Sequence, residues 1–211
     1  TRKTAGTSVE IALSEFCSNP NDTVTPLIKD DENLRRSLNG CEPKGYNFTA
    51  KEWLSCIERI RTERHLLRNF DKRILYKKFW NHMSAKIVRQ RVDKETWDYF
   101  KFTIERDPWD KITSCYKWFL HYSGKKPEEY SLECFFDDGW VEWLSDFSLY
   151  SENGKPLVDA IINYDRLQDG ANLLSEKLCL NKPLNVSRQK INAKGSLSPS
   201  RERKSVIFSA D

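Results

Sequence analysis

The sequence predicts an α/β protein built on a parallel sheet flanked by crossover helices, and three observations carry that reading. Tyr99 to Glu105 alternates Phe100, Phe102 and Ile104 with polar neighbours, the pattern of a half-buried strand, and a helix start follows it at once. Val158 to Tyr164 reads as a second strand, and Leu167 to Leu178 after it reads as a helix. A loop of small and hydroxyl-bearing residues, Lys3-Thr4-Ala5-Gly6-Thr7-Ser8, runs directly into an amphipathic helix. Strands alternating with helices imply a parallel sheet with crossovers. Ligands of such sheets sit at the carboxyl ends of strands, where both the loop and the end of the Phe100–Glu105 strand belong. A buried strand should feed the opening loop, and none stands before Thr1, so the first strand is expected to be missing from this sequence.

The elements follow in order. Thr7 to about Ser18 is a helix with Val9, Ile11, Ala12, Leu13 and Phe16 on its inner side. Asn19 to Pro26 is loop, and Asp30 to Leu38 is a short helix ending at Asn39-Gly40. Thr49 to Asn69 is helical, with Trp53, Leu54, Ile57, Ile60 and Leu67 at helical spacing, and its Glu58–Arg68 stretch is a solvated face. Ile74 to Trp80 is open between strand and loop. Ser84 caps a helix to Val92, and Glu95 to Tyr99 starts another. Asp107 caps and Pro108 opens a helix to about Tyr122, since a missing N–H costs nothing at the first position. Ser131 to Leu144 is aromatic and reads as one helix.

Composition narrows the classes. A chain of 211 residues with seven Trp, eight Tyr and eleven Phe can bury one substantial core. Residues 1–190 are expected to form a single domain, and 191–211 a polar tail or a truncated terminal element. Thirty-five Lys and Arg against 31 Asp and Glu leave +4, and the charges are interspersed, which gives no nucleic-acid signature. The six cysteines show neither C-x-x-C nor zinc spacing, so no metal is expected, and they read as thiols of a reducing compartment. No signal peptide or apolar span is present, so the expected compartment is the cytoplasm. Sequons at Asn21, Asn47 and Asn185 leave the Golgi lumen as the alternative for a eukaryotic source.

The opening loop has the chemistry of an anion cradle. Free backbone N–H groups at a helix start converge with the positive end of the helix dipole. Gly6 lets the backbone come close, Thr7 and Ser8 add hydroxyl donors, and Lys3 adds a mobile charge. An ordinary capped helix start is the equal alternative on this hexapeptide alone. It is not the loop of ATP and GTP enzymes: Lys3 precedes Gly6, and neither a Gly-Lys-Ser/Thr string nor Gly-x-Gly-x-x-Gly occurs. A nucleotide kinase is therefore not expected.

The loop Lys3 to Ser8 resembles the 5′-phosphosulfate loop of sulfotransferases, which use 3′-phosphoadenosine 5′-phosphosulfate (PAPS). Phe102-Thr103-Ile104-Glu105-Arg106-Asp107-Pro108, running into a helix that carries Ser114, resembles the family's 3′-phosphate motif. Asp22 to Leu27 with Leu34-Arg35, Asn81 to Ala85, and Val158-Asp159 to Asp165-Arg166-Leu167 are similar to the bacterial, carbohydrate-type branch. The resemblance spans residues 3 to 182 in order. It implies a three-layer, P-loop-like sheet and transfer of a sulfuryl group from PAPS to a hydroxyl of a carbohydrate or other small acceptor. A non-catalytic nucleotide-binding protein that keeps the fold is the alternative.

The resemblance also assigns roles. Lys3 would stand near the bridging and sulfuryl oxygens, and Thr4, Ala5, Gly6, Thr7 and Ser8 would hold the 5′-phosphate. Arg106 would bind the 3′-phosphate, since guanidinium matches phosphate bidentately, and Ser114 would reach the same group. His82 would take the acceptor proton, with Glu105 as the alternative base. His65 and His121 read as structural. Arg2 stands where the family usually has Pro, which implies a looser loop entry.

Overall fold

The computed structural model describes residues 1–62 and 77–186. The end of the Thr49–Asn69 helix, His65, Ile74 to Tyr76 and the segment from 191 onward lie outside the described residues. The architecture is mixed α/β. Helices α1 (Gly6–Ser14), α2 (Lys29–Ser37), α3 (Ala50–Thr62), α4 (Ala85–Arg91) and α5 (Lys94–Trp97) precede strand β1 (Phe102–Glu105). Helices α6 (Pro108–Ser123), α7 (Leu132–Asp137), α8 (Trp140–Trp143) and α9 (Phe147–Tyr150) follow. Then come a hairpin of β2 (Ser151–Glu152) and β3 (Lys155–Pro156), strand β4 (Ala160–Asn163), a 3-10 turn (Tyr164–Arg166) and α10 (Leu167–Lys177).

The two strands expected from alternation are present and pair in parallel, Phe102 with Ala160 through Glu105 with Asn163. They form a two-stranded sheet, and no strand precedes α1 among the described residues. β1 starts later than the alternation suggests. At Lys101 the backbone N–H is taken by the Asp159 side chain at 2.7 Å, so a side chain rather than a ladder bond fixes the strand entry. The edge of β1 away from β4 faces a groove of about 420 Å³ lined by Val9, Leu13, Phe102 and Ile104 among others. Thr1 closes one end of this groove, its hydroxyl donating to the Ile104 carbonyl at 2.5 Å.

One core joins the sheet to its helices. Val9 of α1, Ile104 of β1, Ile162 of β4 and Leu167, Ala171 and Leu174 of α10 are buried together, with Leu184 and Val186 closing the cluster. A second cluster is aromatic: Ile112 and Cys115 of α6 pack against Tyr130, Phe135 and Leu144. Here the expected single helix from Ser131 to Leu144 is corrected. It is two short helices, because Gly139 sits at φ 76°, a left-handed conformation that ends α7 and opens α8. Other boundaries move by a few residues. α1 stops at Ser14, where the Ser14 hydroxyl turns back onto the Ile11 carbonyl at 2.6 Å. α3 opens on a capping box: the Thr49 hydroxyl accepts from Glu52 N–H at 3.2 Å while the Glu52 carboxylate accepts from Thr49 N–H at 2.9 Å.

α10 lies close on β4 because residue 170 has no side chain. A Cβ at Gly170 would stand 2.3 Å from the Ile162 methyl Cγ2. Overpacking of this kind costs about 1–3 kcal/mol, and Ala returns about 1 kcal/mol of helix propensity. Gly170→Ala should therefore lower the melting temperature by a few degrees, and Ile162→Ala, which removes Cγ2, should cost less in that variant than in the parent. A neutral Gly170→Ala would refute this packing account.

Candidate functional site

The opening loop is wound unusually. Lys3 and Ala5 both have positive φ, at 57° and 62°, although neither is glycine. Left-handed conformations of such residues cost about 1–2 kcal/mol each and collect at functional sites. Ala5 passes from left-handed backbone directly into the right-handed turn of α1 at Gly6, an alternation of the kind that turns successive N–H groups toward one side. The first helical hydrogen bond runs from Val9 N–H to the Ala5 carbonyl at 3.1 Å. The N–H groups of Gly6, Thr7 and Ser8 thus have no intrahelical acceptor, and no side chain caps them. Thr7 and Ser8 are half-buried beside them. Thr4 is wholly buried and its hydroxyl faces Thr1, 2.9 Å from the Thr1 hydroxyl, so it offers a ligand its backbone and not its side chain.

The second predicted segment meets the first. Arg106 follows the last residue of β1 and donates from NH1 to the Lys3 carbonyl at 3.2 Å. Its guanidinium lies over the Tyr164 ring at 4.2 Å, and its Nε is buried with no hydrogen bond inside the protein. That nitrogen is a donor open to an acceptor from outside the protein, as are single guanidinium nitrogens of Arg2, Arg35 and Arg91. Asp107 caps α6 as expected, accepting from the N–H groups of Trp109 and Asp110. Ser114 is half-buried on α6. It shares a helix face with Trp118 four residues on, and the Lys3 ammonium lies over the Trp118 ring at 5.4 Å, so that face turns toward the loop. Loop and Arg106 are thus brought to one region, at the carboxyl end of β1.

His82 does not start a helix. It has φ 60° in a turn closed from Met83 N–H to the Trp80 carbonyl at 3.3 Å, two residues before α4 caps at Ser84. The turn is held on both sides: Asn81 donates to the Pro26 carbonyl at 3.1 Å, and the buried Arg91 donates to the Lys77 and Lys78 carbonyls at 2.8 and 2.6 Å. The residue is exposed, yet local desolvation lowers its imidazole pKa below the ordinary value. The positive charge of Arg2 lowers it further, while Asp146 opposes it. Glu105, the alternative base, instead faces Lys111 at 3.8 Å and hydrogen-bonds Tyr150, whose phenol is pushed up to about 12 by burial and by that carboxylate.

Four contributors lie outside the predicted set: Tyr164 under Arg106, Trp118 under Lys3, and the buried pair Lys111 and Asp146. Lys111 stands three residues into the helix opened by Pro108, a position the motif itself could have flagged. Nothing in the sequence around Asp146 marks it. Among the described residues no group of three or more His, Cys, Asp or Glu could hold a metal ion, and no helix is long and apolar enough to cross a membrane.

Fold and site together define a mixed α/β protein whose opening loop, with uncapped helix-start N–H groups, meets the end of a parallel strand. The chain is 31% identical over 108 residues to an uncharacterized protein of Archaeoglobus fulgidus, an alignment covering 49% of this chain and 88% of that protein. The chain belongs to the same family as that protein. No protein-family model matches it, and no solved structure matches it.

Proposed function

We propose that the chain is a PAPS-dependent sulfotransferase acting on a hydroxyl of a carbohydrate-type acceptor. The observation that carries the reading is the contact between Arg106 and the Lys3 carbonyl, which joins the two candidate anion-binding segments across 103 positions in sequence. One segment offers uncapped N–H groups and the other a guanidinium, a donor set suited to a nucleotide with phosphates at both ends. On this reading β1 and β4 belong to a three-layer, P-loop-like sheet.

The acceptor hydroxyl oxygen attacks sulfur, and the bond from sulfur to the bridging phosphate oxygen breaks. The electrons of that bond leave with 3′-phosphoadenosine 5′-phosphate. Charge grows on the bridging oxygen, where the Lys3 ammonium and the N–H groups of Gly6, Thr7 and Ser8 stabilise it. The acceptor proton passes to His82, neutral because its pKa is held down.

The test is transfer of radiolabelled sulfate from PAPS to a glycan panel, together with a thermal-shift titration by 3′-phosphoadenosine 5′-phosphate. Binding and transfer are expected. Because desolvation and the Arg2 charge depress His82, the acid limb of kcat/KM should have its midpoint below 6.5. Binding without transfer to any acceptor would favour a non-catalytic nucleotide-binding protein, and absence of binding would end the reading.

A further inference from the structure

The anion loop is fastened by a carboxylate outside both segments. Asp146 precedes α9, is 2% exposed, and its carboxylate is fully enclosed. One oxygen, Oδ2, accepts from the Arg2 backbone N–H at 2.5 Å and from Lys111 Nζ at 2.7 Å. The other, Oδ1, accepts from Arg2 NH1 at 2.7 Å. The same Arg2 nitrogen donates to the Trp143 carbonyl at 2.8 Å, and the guanidinium lies over the Trp143 ring at 4.4 Å. A single buried anion therefore ties three segments together: the residue before Lys3, the first turn of α6, and the α8–α9 connection. An enclosed carboxylate with two cations is costly to build unless every partner is satisfied, and it then allows one arrangement of its neighbours. The left-handed backbone at Lys3 and Ala5 needs such an external clamp, because it is not the conformation those residues adopt unaided.

We propose that Asp146 is the positioning residue of the anion loop, holding Arg2 and Lys111 so that Lys3 and the Gly6–Ser8 N–H groups face the ligand. The role in ligand binding rests on the function proposed above; the role in fixing the loop does not. Asp146→Asn keeps the shape and removes the charge. Two measurements on the full chain read it: amide hydrogen exchange of Val9 and the α1 residues after it, the first hydrogen-bonded amides beyond the loop, and the Kd for 3′-phosphoadenosine 5′-phosphate. Exchange of these α1 amides should speed up at least tenfold while α10 is unchanged, and the Kd should rise at least tenfold. If Asp146→Asn does not fold, Arg2→Gln decides, since it leaves the Asp146–Lys111 pair intact and removes only the loop's side-chain tether. Exchange and Kd within twofold of the parent in the folded variant would overturn the proposal. If the parent shows no binding of the bisphosphate, the functional reading falls, while the exchange comparison still judges the clamp by itself.

Discussion

Arg106→Ala should weaken binding of 3′-phosphoadenosine 5′-phosphate by about 10- to 100-fold, the loss expected when charge-assisted hydrogen bonds of about 1.5–3 kcal/mol are removed. The guanidinium is already oriented, with NH1 on the Lys3 carbonyl at 3.2 Å and its plane over Tyr164 at 4.2 Å. Little side-chain entropy remains to be lost on binding, and Nε has no acceptor within the protein. Arg106→Lys should recover only part of the affinity. An ammonium keeps the charge but neither forks around a phosphate nor stacks on the tyrosine.

The same variant separates two ways in which Arg106 could act. Because NH1 also holds the Lys3 carbonyl, the substitution could loosen the loop and leave the 3′-phosphate untouched. Adenosine 5′-monophosphate decides between them, since it lacks that phosphate. A loss confined to the bisphosphate places Arg106 on the 3′-phosphate, whereas equal losses for both nucleotides would place it on the loop. Isothermal titration of both nucleotides against parent and variant is the measurement.

What the sequence revealed and what it hid have a common physical cause. Local chemistry was legible. The alternation of Phe102 and Ile104, the Asp107-Pro108 helix start and the Lys3–Ser8 loop each depend on neighbours in sequence, and each is present. The parallel pairing of β1 with β4 followed from the order of elements alone. Long-range chemistry was not legible. Asp146 contacts Arg2 across 144 positions, and Tyr164 meets Arg106 only because β4 lies beside β1. Gly139 was overlooked for a different reason: aromatic periodicity across Ser131–Leu144 looks continuous, and only the left-handed backbone at residue 139 reveals the break. His82 carries helix-start neighbours, yet its own conformation belongs to the preceding turn.

The largest loss of stability should come from Arg35→Met, at about 3–5 kcal/mol, the cost of leaving the buried Glu32 carboxylate and the partly buried Glu10 without their cation. Arg35 of α2 is 0% exposed. It donates to both Glu32 oxygens at 3.0 and 3.2 Å, to Glu10 of α1 at 3.2 Å, and to the Thr25 carbonyl at 3.1 Å. Methionine fills similar space, so the effect reports charge and not a cavity. For a chain of this size the melting temperature should fall by roughly 6–20 °C. The loss should depend on pH with a definite sign. Burial raises the Glu10 pKa above its ordinary 4.5, and Arg35 pulls it partly back. A carboxyl raised in the folded state contributes stability that is complete below 4.5 and is lost as pH climbs through the folded value. Removing Arg35 raises that folded value further. The variant should therefore lie nearest the parent in acid and fall behind as pH rises past 4.5, and Glu10→Gln in the variant should flatten that trend. Urea denaturation of parent, Arg35→Met and the double variant from pH 4 to 8 gives the comparison. A gap between parent and Arg35→Met that narrows as pH rises would show that Glu10 is not the carboxylate Arg35 compensates. The result bears on the site as well, because Glu10 belongs to α1, whose first turn carries the N–H groups of the anion loop.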